Sequence, residues 1–244
     1  MVKIGILGYG EVGQAIAKFY QTGDWQIKIK DLNRNDNLEG CEILNICIPY
    51  KDESFVEIVK KEIDYVKPKI TIIHSTIAPG TTKKIGGMVV HSPVRGIHPY
   101  LYEGIKTFVK YIGAETEETA KAAKEHLESL GITTKVFIPA KTTELAKLFC
   151  TTYYGLCIAY HAEMKRICEQ EGIDFEKAVT DFNQTYNEGY TKLGKSNVVR
   201  PVLYPPENGI GGHCVCENAN ILKKFYQSEV FDFILKYKPK DKNL

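Results

Sequence analysis

Apolar runs alternate with helically spaced apolar positions from the first residues onward. Val2-Lys3-Ile4-Gly5-Ile6-Leu7 is apolar almost throughout, the pattern of a strand buried on both faces. A helix is expected over Glu11–Tyr20 and a second strand over Gln26–Lys30, ending in Asp31, before the polar, turn-rich segment Leu32–Gly40. Cys41–Pro49 reads as the next buried strand, and Glu53–Val66 carries helical spacing at Phe55, Val56, Val59 and Ile63, with Pro68 beyond its end. Strands follow at Ile70–His74 and Met88–His91, each opening onto a loop rich in Ser, Thr and Pro. Phe108–Gly113 is a further strand, Glu115–Leu130 an amphipathic helix and Thr134–Ile138 a final strand. From Lys141 the pattern changes to helix alone. Thr142–Gly172 runs without proline, capped by Thr142 or Thr143 and stopped at Gly172. A second helix covers Phe175–Leu193, Gly194–Cys216 is irregular, and a third helix covers Glu217–Tyr226.

Strands separated by helices pair in parallel, so the fold class expected is α/β. It comprises an N-terminal Rossmann-type doubly wound parallel sheet over residues 1–139 and a smaller all-helical domain over residues 140–244, divided near Pro139. Ligands on such sheets bind beyond the C-terminal strand ends, where the Ser-Thr and Ser-Pro loops fall. The helix after Thr142 is longer and more apolar than one small domain covers, which predicts a homodimer through the helical domain.

Gly8-Tyr9-Gly10-Glu11-Val12-Gly13 joins the first strand to the first helix with the spacing G-x-G-x-x-G, and Asp31 lies eighteen residues beyond Gly13. The first glycine permits a tight turn, the second admits a pyrophosphate to the backbone, and the third lets helix and strand pack closely. The helix N-terminus offers unpaired N–H groups to an anion, and Asp31 would accept hydrogen bonds from an adenosine ribose. The expected cofactor cradle is Gly8, Tyr9, Gly10, Glu11 and Val12, with Asp31 and Leu32 after the second strand and Pro49 and Ser75 at later strand ends. A carboxylate at Asp31 repels a 2′-phosphate, favouring NAD over NADP, although Arg34 stands nearby.

Composition narrows the class. The 244 residues carry a net charge of +2 with 43% hydrophobic residues, so nothing marks a nucleic-acid footprint. No apolar run approaches the roughly 20 residues needed to span a membrane, and Met1 leads straight into a strand. Seven cysteines scattered through apolar segments fit a reducing cytoplasm better than a disulfide framework. The histidines have no metal-ligand spacing, so no metal is expected.

Four pieces in one order carry a family likeness: Gly8–Gly13, Ser75-Thr76-x-x-Pro79-Gly80-Thr81, Glu144-Leu145-Ala146-Lys147-Leu148 and Gly209-Ile210-Gly211-Gly212-His213-Cys214. The chain resembles the UDP-glucose/GDP-mannose dehydrogenases and, more broadly, the 6-phosphogluconate and 3-hydroxyacid dehydrogenases. The resemblance implies that Cys214 is a nucleophile able to trap an aldehyde as a thiohemiacetal, with His213 or Lys147 supplying the positive charge that a thiolate needs. It implies that Lys147 polarises a substrate oxygen and that Thr76 positions a water or hydroxyl near the nicotinamide. Three departures stand against the family's four-electron oxidation. Val94 occupies the place of the Ser-Pro-Glu carboxylate, Thr151 that of the asparagine one turn after the lysine, and Asn218 that of the aspartate four residues after the cysteine. The family also continues into a third, sugar-nucleotide-binding domain, which this chain is expected to lack.

What remains is a compact substrate, for which His91, Arg95, Thr151 and His213 are the candidate contacts. Arg95 would clamp a small carboxylate with two parallel hydrogen bonds. The function expected is NAD-dependent oxidation of a small hydroxy substrate in one two-electron step, with Lys147 as acid–base or electrophile. A different class competes: S-adenosylmethionine-dependent methyl transfer, such as pyridinol methylation in the making of the iron-guanylylpyridinol cofactor. Asp31 would hold that adenosine equally well, methyl transfer needs none of the lost carboxylates, and Glu11 would favour a sulfonium. A non-catalytic nucleotide sensor is the third option.

Overall fold

The computed structural model describes residues 1–212 and 214–239. Its described strands are β1 Val2–Leu7, β2 Trp25–Asp31, β3 Arg34–Asn35, β4 Ile43–Ile46, β5 Ile70–Ile73, β6 Val89–His91, β7 Lys110–Gly113 and β8 Thr134–Phe137. They form one sheet in the order β3-β2-β1-β4-β5-β6-β7-β8. The helices are α1 Glu11–Phe19, α2 Ser54–Val66, α3 Thr81–Ile85, α4 Leu101–Thr107, α5 Glu117–Ser129, α6 Lys141–Glu171, α7 Phe182–Lys192, α8 Cys214–Phe225 and α9 Glu229–Lys236. A π-helical turn, Glu176–Asp181, leads into α7.

The α/β class holds, but the sheet is mixed rather than parallel throughout. β2, β1, β4, β5 and β6 are parallel neighbours, while β3 pairs antiparallel with β2 and β7 antiparallel with β6. Helix length does not set this direction: β5 and β6 pair in parallel across the five-residue α3, while β6 and β7 meet antiparallel after the seven-residue α4. After the thirteen-residue α5, β8 returns parallel to β7.

Two compact units divide the described chain, Met1–Lys147 and Leu148–Leu244. In the first, the sheet separates two buried clusters. Ile4, Ile6 and Ile72 pack with Ile16 and Phe19 of α1, Leu101 and Ile105 of α4 and Leu127 of α5. Leu7, Leu44, Ile46 and Ile73 pack with Phe55 and Val59 of α2. The strands are apolar on both faces because both faces are covered. In the second unit Ala159, Ile210, Val215, Cys216, Ala219 and Ile234 make the core. Helix α6 ends where Gly172 turns left-handed at φ 66°, with Ile173 N donating to Cys168 O at 2.8 Å. Cys214 is the first residue of α8, not part of an irregular loop. Among the described residues no helix is long and apolar enough to cross a membrane.

Candidate functional site

The glycine loop has the shape that its spacing predicts. Gly8 holds φ 93°, and a Cβ there would stand 2.8 Å from the main chain of Cys47 and Ile48 at the end of β4. A Cβ on Gly13 would lie 2.1 Å from Gly8 O, so only glycine lets α1 sit this close to the turn. Gly10, by contrast, faces open space with nothing within 4 Å of where a Cβ would be. It caps α1 with no side-chain partner, leaving the first-turn N–H groups to an incoming anion.

Asp31, at the end of β2, ties this loop down. Its Oδ2 accepts from Tyr9 N at 2.5 Å and its Oδ1 from Leu32 N at 2.7 Å. Each carboxylate oxygen keeps a second lone pair for a ribose hydroxyl. Arg34 is occupied elsewhere, its guanidinium bonding Asp36 at 2.8 Å. Leu32 is fully exposed, while Tyr9 and Val12 are half-buried against the core of the first unit. Pro49 is exposed, and the Ser75 hydroxyl beside it donates to Ile48 O at 2.6 Å. Glu11, on the first turn of α1, pairs with His98 Nδ1. That contact engages the one acidic side chain of the glycine loop.

The Ser75–Thr82 loop is fixed from α6. Glu144, wholly buried, accepts from Gly80 N at 2.5 Å, Thr82 N at 2.8 Å and Thr82 Oγ1 at 2.7 Å. Burial pushes its carboxyl above the usual range, against the three donors that pull it down. Lys147 follows three residues later on the same face of α6, half-buried, and its charge reaches both His91 and Lys110. Thr76 is half-buried in the loop that Glu144 holds, and Thr151, half-buried, comes one turn after Lys147 on α6.

His91 corrects an expectation. It is 0% exposed, its Nδ1 meets the Thr143 hydroxyl at 2.8 Å and its Nε2 the Ser75 carbonyl at 3.1 Å. Both ring nitrogens are spent on the fold, and burial drives its pKa down to about 3. His91 therefore braces β6 against α6 as a neutral ring instead of contacting substrate. His74 is buried in the same manner, between Asn45 Oδ1 at 2.9 Å and Ser92 O at 3.2 Å, with its pKa well below the ordinary value. Arg95 remains partly exposed, its guanidinium 5.2 Å from the Phe108 ring centre and 5.3 Å from that of Tyr111.

The C-terminal candidates lie in the second unit. Cys214 is exposed at the start of α8; His213 lies outside the described residues. Val94 is buried, leaving no carboxylate in the Ser92–Gly96 loop, and the buried Asn218 amide nitrogen has no partner among the described residues. Two features escaped the sequence reading: the role of Glu144 as anchor, and the burial of Lys110. A lone lysine inside Val109-Lys110-Tyr111-Ile112 was the only signal of the second.

Residues 141–238 match the central domain of the UDP-glucose/GDP-mannose dehydrogenase family. A UDP-N-acetyl-D-mannosamine dehydrogenase of Methanocaldococcus jannaschii is 30% identical over 200 residues, covering 72% of this chain and 43% of that protein. The corresponding protein of Pyrococcus horikoshii is 24% identical over 218 residues, 80% and 49% of the two chains. The chain thus spans about half the length of the curated relatives it matches. In fold it resembles the solved UDP-D-ManNAc dehydrogenase of Pyrococcus horikoshii, with a TM-score of 0.79 at 19% identity over 97% of this chain and 68% of that one. It also resembles a Mycobacterium tuberculosis 3-hydroxyisobutyrate dehydrogenase, with a TM-score of 0.69 at 13% identity over 97% and 92%. Motif order, the central-domain match and the shared fold make this chain a divergent relative of the UDP-glucose/GDP-mannose dehydrogenase family.

Proposed function

We propose that the protein is an NAD-dependent oxidoreductase that oxidises a compact hydroxy substrate in one two-electron step. The observation that carries this reading is the glycine loop, with Gly10 open to a phosphate group while Asp31 holds the loop and retains acceptors for a ribose. NAD fits these residues: the loop and the α1 N-terminus would bind the pyrophosphate, Asp31 the adenosine ribose, and the Ser75–Thr76 segment would border the nicotinamide. When bound, it supplies the hydride acceptor.

The protein's own residues do the rest. Lys147, as a cation, polarises the substrate oxygen while the substrate carbon loses its hydride and the hydroxyl proton passes to solvent, and Arg95 orients a substrate carboxylate. Val94 and Asn218 stand where the relatives' second oxidation calls for carboxylates, so the reaction stops at the carbonyl. With Asn218 in place of the aspartate that the resemblance implies, Cys214 lacks that carboxylate for a thiohemiacetal route. Glu11 is bonded to His98, so the carboxylate that a sulfonium ligand would call on is already engaged.

A screen of small hydroxy acids with NAD⁺, read at the absorbance of the reduced cofactor, tests the proposal. Turnover with at least one substrate is expected, and Lys147→Met should lower kcat at least about 100-fold, the ordinary worth of one donor that stabilises a developing oxyanion. Equal turnover in the variant would remove Lys147 from the chemistry. Methyl transfer from S-adenosylmethionine, with no reduced cofactor formed, would overturn the reading.

A further inference from the structure

Lys110 is 3% exposed at the first position of β7, where a charged side chain is costly to bury. Its place in the sheet explains why it is there. β6 and β7 share a single registered pair, His91 with Gly113, and beyond it the chain leaving β6 stays bonded to the β5 side. Ser92 N donates to Ile73 O at 2.8 Å and Val94 N to His74 O at 3.4 Å. A fork opens between Ser92–Val94 and β7, and the Lys110 ammonium fills it, donating to Ser92 O at 2.7 Å and to Pro93 O at 3.3 Å. On the β5 side Ser92 O also meets His74 Nδ1 at 3.2 Å; Pro93 has no N–H, and the Ser92 hydroxyl is buried without a partner among the described residues, so Lys110 is what holds the turn from the β7 side.

We propose that Lys110 is the positioning residue of the Ser92–Gly96 loop, and that loss of its proton loosens the segment carrying Arg95. Lys110 takes part in none of the salt bridges among the described residues. The titratable and charged groups around it are Cys47 after β4, His74 after β5, His91 on β6, Arg95 in the loop and Lys147 on α6. None is a carboxylate, and the Lys147 charge repels it. Burial brings its pKa down to about 7, which places the change of charge within the physiological range. A neutral amine still has two N–H groups for the two carbonyls but loses the charge-assisted strength of both bonds. The inference concerns the loop and does not depend on the reaction proposed above.

Two readings on the full chain test it. Lysine Cε chemical shifts, followed by NMR from pH 6 to 9 in protein labelled with carbon-13 at lysine, should show one titration near neutrality that is absent in Lys110→Met. Amide protection factors of Ser92 and Val94, the hydrogen-bonded amides of the turn, should fall about fivefold across that same midpoint, the step expected when a charged hydrogen bond becomes a neutral one. Lys110→Arg, always charged, should show no such step, and Lys110→Met should be weakly protected at every pH. Should either variant fail to fold, the coincidence of the two wild-type midpoints decides. Protection unchanged through the wild-type titration, or the same step in Lys110→Met, would overturn the proposal.

Discussion

Replacing Glu144 by glutamine isolates the contact that holds the Ser75–Thr82 loop. The carboxylate satisfies three donors at 2.5, 2.8 and 2.7 Å from a position with no solvent exposure. Glutamine matches it in size but offers one acceptor oxygen, and its NH₂ would face either Gly80 N or the Thr82 pair, donor against donor. A hydrogen bond to a charged group contributes about 1.5–3 kcal/mol, and an orphaned buried donor costs a similar amount. Part of that loss is returned, because the buried carboxylate carries a desolvation penalty that its raised pKa reveals. The expected net loss is about 2–4 kcal/mol. The assay is urea unfolding followed by the fluorescence of Trp25, the single tryptophan, which stands in β2 and so reports on the Met1–Lys147 unit. With a urea dependence of roughly 2 kcal/mol per molar, the midpoint should fall by about 1–2 M. A shift below about 0.5 M would show that the three bonds contribute nothing net and refute the reasoning.

Acid should unfold the first unit through its buried histidines. His91 has a folded-state pKa of about 3 against an ordinary 6.5, so its contribution is present above about pH 6.5 and is lost progressively as pH falls towards 3. The full range is worth about 5 kcal/mol; His91→Gln should flatten the low-pH limb of the stability profile, and an unchanged limb would assign acid lability elsewhere. Phe149, Tyr153, Tyr160 and Ile167 recur along one stripe of α6 and are exposed, at 51%, 66%, 57% and 46%. Sedimentation equilibrium should therefore give a homodimer that Tyr153→Glu with Tyr160→Glu converts to monomer, whereas a monomeric wild type would refute dimerisation through this face.

Much of the fold was legible because its signals are local. The apolar runs at Ile4–Leu7 and Ile70–Ile73 leave only one way to bury both strand faces, and the glycine spacing of the first turn reports sterics confined to a few residues. The direction of β7 was not legible, since nothing in the composition of Lys110–Gly113 distinguishes a parallel from an antiparallel neighbour of β6. The same limit applied at the site. Asp31 could be placed by counting from Gly13, but its bond to Tyr9 N joins segments twenty-two residues apart. His91 read as a site residue because it ends a strand beside a loop; only the packing of Thr143 against it makes it structural. Glu144 stood in a recognisable motif, yet its partners at Gly80 and Thr82 lie more than sixty residues earlier. Cys214 looked like a loop residue because of the glycines before it, and the apolar spacing from Val215 onward carries α8 up to it.

The central claim is that the glycine loop holds a dinucleotide. Calorimetric titration with NAD⁺, and separately with S-adenosylmethionine, tests it on the wild type and on Gly10→Ala. Gly10 has φ −68° and open space around it, so alanine should leave the urea midpoint unchanged while its methyl group blocks the pyrophosphate. The account predicts micromolar binding of NAD⁺ to the wild type, at least about tenfold weaker in Gly10→Ala, and no comparable binding of S-adenosylmethionine. Binding of S-adenosylmethionine alone, or NAD⁺ affinity untouched by Gly10→Ala, would contradict it.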